Sequence, residues 1–221
     1  MHRSLDDLGY ALTAPLLSPA ECRRLTALYD QDALFRSTVV MQRHAYGQGE
    51  YRYWRYPLPD PVQSLREGLY PPLAAVAREW AQRLGVAKDY PHTLAAFLAR
   101  CHAAGQKRPT PLILKYGSGD YNRLHQDLYG EHVFPLQATI LLSDPASDFE
   151  GGEFMLVEQR PRQQSRGEVV PLLQGQAVIF AVNERPVRGA RGYFRAKLRH
   201  GVSTLRAGRR FTLGIIFHDA M

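Results

Sequence analysis

From Pro109 onward the chain breaks into seven short runs rich in β-branched and aromatic residues: PLILKY, LQATILLSD, GEFMLVEQ, GEVVPL, GQAVIFAV, YFRAKLRHGV and RRFTLGIIF. Gly, Pro, Asp and Asn punctuate them, and strands so short cannot bury themselves alone. They must pair into sheets that face each other, which points to a sandwich or barrel of jelly-roll type. The pattern therefore predicts a mainly β, α+β chain whose residues 109–219 form a double-stranded β-helix.

The first 105 residues read differently, as a helical layer packed on one sheet. Ser18-Pro19-Ala20-Glu21 is a capping box with proline at the first helical position. Residues 61–84 predict two helical segments broken at Pro71-Pro72, and residues 91–104 predict another that stops at Gly105. Between them, residues 41–57 form a loop or hairpin dense in aromatics and arginines. At 221 residues the whole is expected to be one domain.

The N-terminal stretch carries acids where an export signal would be apolar, and no apolar run reaches the roughly 20 residues of a membrane span. A cytoplasmic location is expected. Cys22 and Cys101 fall in helical patterns and read as small buried residues rather than a disulfide. Net charge is +7, concentrated between Arg160 and Arg210, where 12 cations face two acids. This segment is either a solvated basic face or a surface for an anionic partner such as nucleic acid, and charge alone does not decide.

RLHQDLYGEH, residues 123–132, offers four metal-ligand groups: His125, Asp127, Glu131 and His132. On a strand, residues two apart share a face, so His125 and Asp127 project together while Gln126 points away. His200 ends a later β run and is the best third ligand. Two histidines and one carboxylate leave three positions of an octahedron open, the arrangement of non-haem Fe(II) oxygenases. Glu131 and His132 follow a turn, nothing downstream pairs with them, and they read as groups that support the ligands, face the substrate or lie on the surface. Arg210, Thr212 and Gly214 share one face of the last strand. An inward arginine beside a hydroxyl suits a bidentate grip on a carboxylate. Tyr116 either places its hydroxyl in the same cavity or is a half-buried strand residue.

The order Tyr116-x-x-Gly119, His125-x-Asp127, Phe149-Glu-Gly-Gly-Glu-Phe154, Gly175–Phe180, His200-Gly-Val and Gly208-x-Arg210-x-Thr212 resembles the Fe(II)/2-oxoglutarate-dependent oxygenases. The histidine-to-arginine spacing and the Glu-Gly-Gly-Glu turn are similar to the prolyl-hydroxylase-like branch. The YxxGxxxxxHQD stretch is similar to the dioxygenases that demethylate alkylated DNA bases. Two positions depart from that repair group: Leu114 replaces an asparagine, and Ile216 replaces a second arginine. The whole chain most resembles a bacterial oxygenase family provisionally linked to damaged nucleic acid. The resemblance implies Fe(II) on His125, Asp127 and His200, 2-oxoglutarate held by Arg210 with Thr212 and Tyr116, and O2 as oxidant. The substrate would be a nucleic-acid base or, alternatively, a protein side chain or small metabolite. A non-enzymatic binding protein that has kept the fold is the third reading.

For the substrate, Arg43, Tyr51, Tyr53 and Trp54 in the 41–57 segment suit base stacking and phosphate contact. The same aromatics equally suit a hairpin packed on the core. Arg185, Arg188, Arg191 and Arg195, in an expected loop before His200, offer a second anionic surface.

Overall fold

The β runs of the C-terminal half form strands, and these stack as two antiparallel sheets that enclose a cavity. The computed structural model describes residues 2–221. Its first half runs α1 (His2–Leu8), β1 (Tyr10–Pro15), α2 (Pro19–Ala27), β2 (Phe35–Val40), β3 (Gly47–Gln48), β4 (Glu50–Trp54), α3 (Asp60–Arg83) and α4 (Leu94–Ala103). The β-helix follows: β5 (Leu112–Gly117), β6 (Tyr121–His125), β7 (Leu136–Leu141), β8 (Phe149–Gly151), β9 (Phe154–Gln159), β10 (Arg166–Val170), β11 (Gln176–Ala181), β12 (Glu184–Gly189), β13 (Gly192–Val202) and β14 (Leu205–Ile215). The larger sheet has the order β1-β11-β7-β14-β5-β4-β2, with β8 on β14. The smaller has β10-β9-β13-β6-β3, with β12 on β13.

This is the expected double-stranded β-helix with helical cover, but the N-terminal half is less helical than its sequence suggests. Four of its segments are strands that extend the two sheets: β1 pairs β11, β4 pairs β5, β2 pairs β4, and β3 pairs β6. The physical reason lies at the sheet edges. Strand β5 would otherwise expose a row of unpaired backbone groups, which β4 satisfies.

Helix α3 is also continuous, not broken at Pro71-Pro72. Those prolines are exposed, as are Glu67 and Gly68, whose carbonyls lose their helical partners and can bond water instead. The opposite face buries Val62, Tyr70, Leu73, Ala77 and Trp80, and this packing outweighs the proline penalty. Helix α4 starts at Leu94, later than expected, because Thr93 accepts the Ala96 amide and caps it. Both helices pack on the outer face of the larger sheet, where Ile113, Ile140, Ile179, Leu213 and Ile215 meet Tyr70 and Phe97. Cys22 and Cys101 are buried and free, as expected.

One polar knot ties helix to β-helix. Arg66 of α3 and Asp219 near the C-terminus are both fully buried and pair at 2.8 Å. Arg66 also donates to the carbonyls of Ile216 and Phe217 and to the Tyr56 hydroxyl. Asp219 additionally accepts from Tyr56 and bonds the His102 ring. Removing one partner of such a pair strands a buried charge. Arg66→Ala is therefore expected to destabilise the fold by about 3–5 kcal/mol, read as a lowered denaturant midpoint; an unchanged midpoint would contradict this account.

Candidate metal centre

Strand pairing brings the expected ligands together. In the register of β13 on β6, His200 lies directly opposite His125. Asp127 follows two residues after His125, and one ligand atom from each of the three lies within 4.8 Å of the others. Asp127 and His200 are buried and His125 is half-buried. The intervening Gln126 borders the cavity but turns its amide away from the ligands, donating to Asn183 Oδ1 and to the Leu198 carbonyl. The alternation read from the sequence thus holds at this site.

Hydrogen bonds aim the ligands. The 2.7 Å contact between His125 Nδ1 and the Arg123 carbonyl fits an Nδ1–H donor, leaving the Nε2 lone pair free. Asp127 is gripped on both oxygens: the Tyr129 hydroxyl donates to Oδ1 at 2.7 Å, and Gln137 Nε2 donates to Oδ2 at 2.9 Å. The Tyr53 hydroxyl in turn donates to that of Tyr129 at 3.2 Å. Burial alone would raise the Asp127 carboxyl. Hydrogen bonding and charge from His200, helped by His125 and Gln137, instead hold it well below the usual carboxylate range. Burial, then Asp127, pushes the Tyr129 hydroxyl up, so it stays a proton donor. His125 is pushed down by burial and by His200, which favours the neutral, ligating imidazole. This donor set, two imidazoles and an ionised carboxylate on one side of an open cavity, fits an octahedral Fe(II) with positions left for other ligands.

The cavity measures about 470 Å³. The three ligands line it, together with Tyr116, Asn122 and Thr212 on one side. Leu112, Leu114, Tyr51, Tyr53 and Ile216 form an apolar wall on another. Leu114 and Ile216, the two departures from the repair enzymes, thus sit in one apolar patch. Arg210 is not a lining residue of this cavity. It borders a neighbouring one of about 380 Å³, and Phe154 is common to both. Its guanidinium lies between the rings of Tyr116 and Phe149, 5.8 and 5.7 Å from their centres. Only 2% of Arg210 is exposed, and its Nε and Nη1 have no partner. Burial pushes it down to about 10. A cation so poorly solvated is a ready receptor for an anion.

The substrate candidates divide. Tyr51 and Tyr53 line the cavity, whereas Trp54 is fully buried in the core, 4.4 Å from Phe35. Arg43 and Arg188 are exposed and lie outside the cavity lining. The segment before His200 is not a loop but the β12–β13 hairpin. Within it Arg185 is buried, paired with Glu158 at 2.6 Å and bonded to the Asp6 carbonyl, so it is structural. Glu131 and His132 stand outside the cavity lining.

Sequence reading overlooked Tyr129, Gln137 and Gln106. Tyr129 shares the two-residue spacing that picked Asp127, and Gln137 is a polar residue inside an apolar strand, so both left a signal. Gln106 left none. It is fully buried, donates to the carbonyls of Tyr129, His132 and Asp219, and accepts the His132 amide. That fastens the turn carrying Tyr129. Gly130 at its tip has φ +79°, and an added Cβ would lie 2.4 Å from Gln106 Cδ. Only glycine fits there.

Tyr129→Phe is expected to weaken metal affinity about tenfold, measured anaerobically by Co(II) absorption titration. His132→Ala should leave affinity intact, and His125→Ala should abolish it. Unaltered Co(II) affinity in Tyr129→Phe would remove the hydroxyl from the ligand-aiming role.

Comparison with known proteins agrees with this geometry. Residues 49–220 match a family described as "oxygenase, catalysing oxidative methylation of damaged DNA". An uncharacterised protein of Mycobacterium tuberculosis strain H37Rv is 54% identical over 164 residues, 74% of this chain and 70% of its own; a counterpart in strain CDC 1551 matches equally. Among solved structures, a prolyl 4-hydroxylase from Pseudomonas putida superposes with a TM-score of 0.56 at 14% identity, covering 96% of this chain and 94% of that one. A 2-oxoglutarate–Fe(II) oxygenase from Burkholderia pseudomallei does so at 0.54 and 18%, covering 99% and 90%. The α-ketoglutarate-dependent epimerase of nogalamycin biosynthesis reaches 0.59 at 16%, covering 96% and 78%. These structures share the fold.

Proposed function

The chain belongs to this oxygenase family and is an Fe(II)- and 2-oxoglutarate-dependent dioxygenase; we propose that its substrate is an alkylated base in nucleic acid. The observation that carries the reading is the family match spanning the metal ligands and the tyrosine-walled cavity together. Bound iron, with 2-oxoglutarate and O2, supplies the oxidising power to insert oxygen into a substrate C–H bond, giving succinate and CO2.

The protein's residues supply position. His125, Asp127 and His200 hold the metal, and Tyr129 with Gln137 fixes the angle of the carboxylate. Arg210, buried with free donors, takes the far carboxylate of 2-oxoglutarate, beside Thr212 and Tyr116. Tyr51 and Tyr53 present aromatic surface to a flat base inserted into the cavity. Oxidation of an N-methyl group there leaves a hydroxymethyl that departs as formaldehyde, restoring the base.

A second reading is a hydroxylase of a protein side chain or small metabolite. The apolar patch of Leu114 and Ile216 favours it, since a polar base would leave hydrogen-bonding edges facing those residues.

Succinate release measured against methylated single-stranded oligonucleotides, peptides and metabolites separates the two. Stimulation by oligonucleotides alone is expected, and stimulation by peptides or metabolites alone would overturn the base assignment. Arg210→Met is expected to raise the KM for 2-oxoglutarate about 100-fold, the loss of a charge-assisted pair of hydrogen bonds. A KM unchanged in that variant would remove Arg210 from co-substrate binding.

A further inference from the structure

The basic segment 160–210 is not uniform once folded. Arg160 and Arg185 both pair with Glu158, and Arg166 pairs with Glu168. These cations are spent on structure. On β13 the pattern is different. Ala196, Leu198 and His200 are buried, while Arg195, Lys197 and Arg199 alternate with them and are exposed. The strand's pleat sets such a row at roughly 6.5–7 Å between neighbours on one face.

In register across β12, Glu184 lies opposite Lys197, Pro186 opposite Arg195, and Arg188 opposite Tyr193. Glu184 pairs with Arg195 at 3.2 Å. Lys197, Arg199 and Arg188 have no ion pair among the described residues. Like charges in a row repel and add nothing to folding. Protection of a sheet edge does not explain Lys197 and Arg199 either, because that part of β13 is paired by β9 on one side and lies between β12 and β6 on the other.

The row is joined to the metal centre. Arg199 directly precedes the ligand His200, on the opposite face of the sheet. Gln126, which lines the cavity, donates to the Leu198 carbonyl, so the cavity rim abuts this end of the row. At the other end Tyr193 is 41% exposed. From Tyr193 to His200 the strand covers about 23 Å, the reach of a few nucleotides.

We propose that the exposed face of β13 is a track for the sugar–phosphate backbone of a single-stranded nucleic acid whose target base occupies the metal cavity. Lys197 and Arg199, the unpaired cations of the strand, take successive phosphates, and Arg188 extends the row. The proposal rests on the nucleic-acid reading above and adds to it the path of the strand.

The test is the salt dependence of binding between the full-length protein and a labelled single-stranded oligonucleotide carrying one N-methylated base. Each phosphate contact on a single strand contributes about 0.7 to the slope of log affinity against log salt. Lys197→Ala/Arg199→Ala is expected to lower the slope by about 1.4. The charge-preserving Lys197→Arg/Arg199→Lys should keep it, and Arg24→Ala, on exposed α2, should match wild type. A wild-type slope retained in Lys197→Ala/Arg199→Ala overturns the track while leaving the nucleic-acid reading standing. Equal competition by polyglutamate would make the face a general cation surface and also overturn it. Wild-type protein that fails to bind, or binds without salt dependence, overturns the nucleic-acid reading and the track with it.

Discussion

A carboxylate taken out of water must be compensated at each oxygen, and Asp127 is the point where this demand shapes the molecule. It is only 8% exposed, yet it stays ionised because Tyr129 and Gln137 each supply a donor and His200 lies alongside. Those donors come from different places. Gln137 belongs to a central strand of the larger sheet, and Tyr129 to a turn outside both sheets. The turn has no regular structure to hold it, so a buried glutamine at the end of α4 does so, bonding also to the carbonyl of Asp219. Through Asp219 the same chain of contacts reaches Arg66 on α3. The helical layer thus does more than cover a sheet; it fastens the turn that aims a metal ligand.

Much of this was written locally in the chain. Period-two alternation located the strands, and the same alternation separated His125 and Asp127 from Gln126. Capping chemistry placed α2. What failed was reasoning about elements whose fate depends on distant partners. Pro71 and Pro72 look like a break because the packing that overrides them comes from residues distant in the chain, such as Phe97, Phe134 and Phe217 against Tyr70. The 41–57 segment reads as either a loop or a hairpin, and nothing local reveals that its 50–54 stretch fills the open edge of β5. Arg185 reads as a free surface cation until folding sets it against Glu158 and the carbonyls of α1. Gln106 carries no pattern at all, since its four bonds reach residues up to 113 positions away.

The tyrosines show how one residue can answer two of the readings that sequence left open. Tyr53 was a base-stacking candidate or a core hairpin residue. It lines the cavity, packs with Leu112 and Ile216, and bonds Tyr129. The wall that a substrate would touch is therefore two hydroxyls away from the metal carboxylate. Trp54, its neighbour, faces the other side of β4 and belongs to the core.

The turn clamped by Gln106 also carries a consequence for how the molecule is made. Its contacts join Gln106 to residues from 23 to 113 positions away, and closing the longest of these loops costs entropy that only a nearly complete fold repays. A chain still emerging during synthesis, without Asp219, lacks one of the four bonds that hold Gln106 under the Tyr129 turn. The aimed ligand set is therefore expected to be completed late in folding, after the sheets have closed.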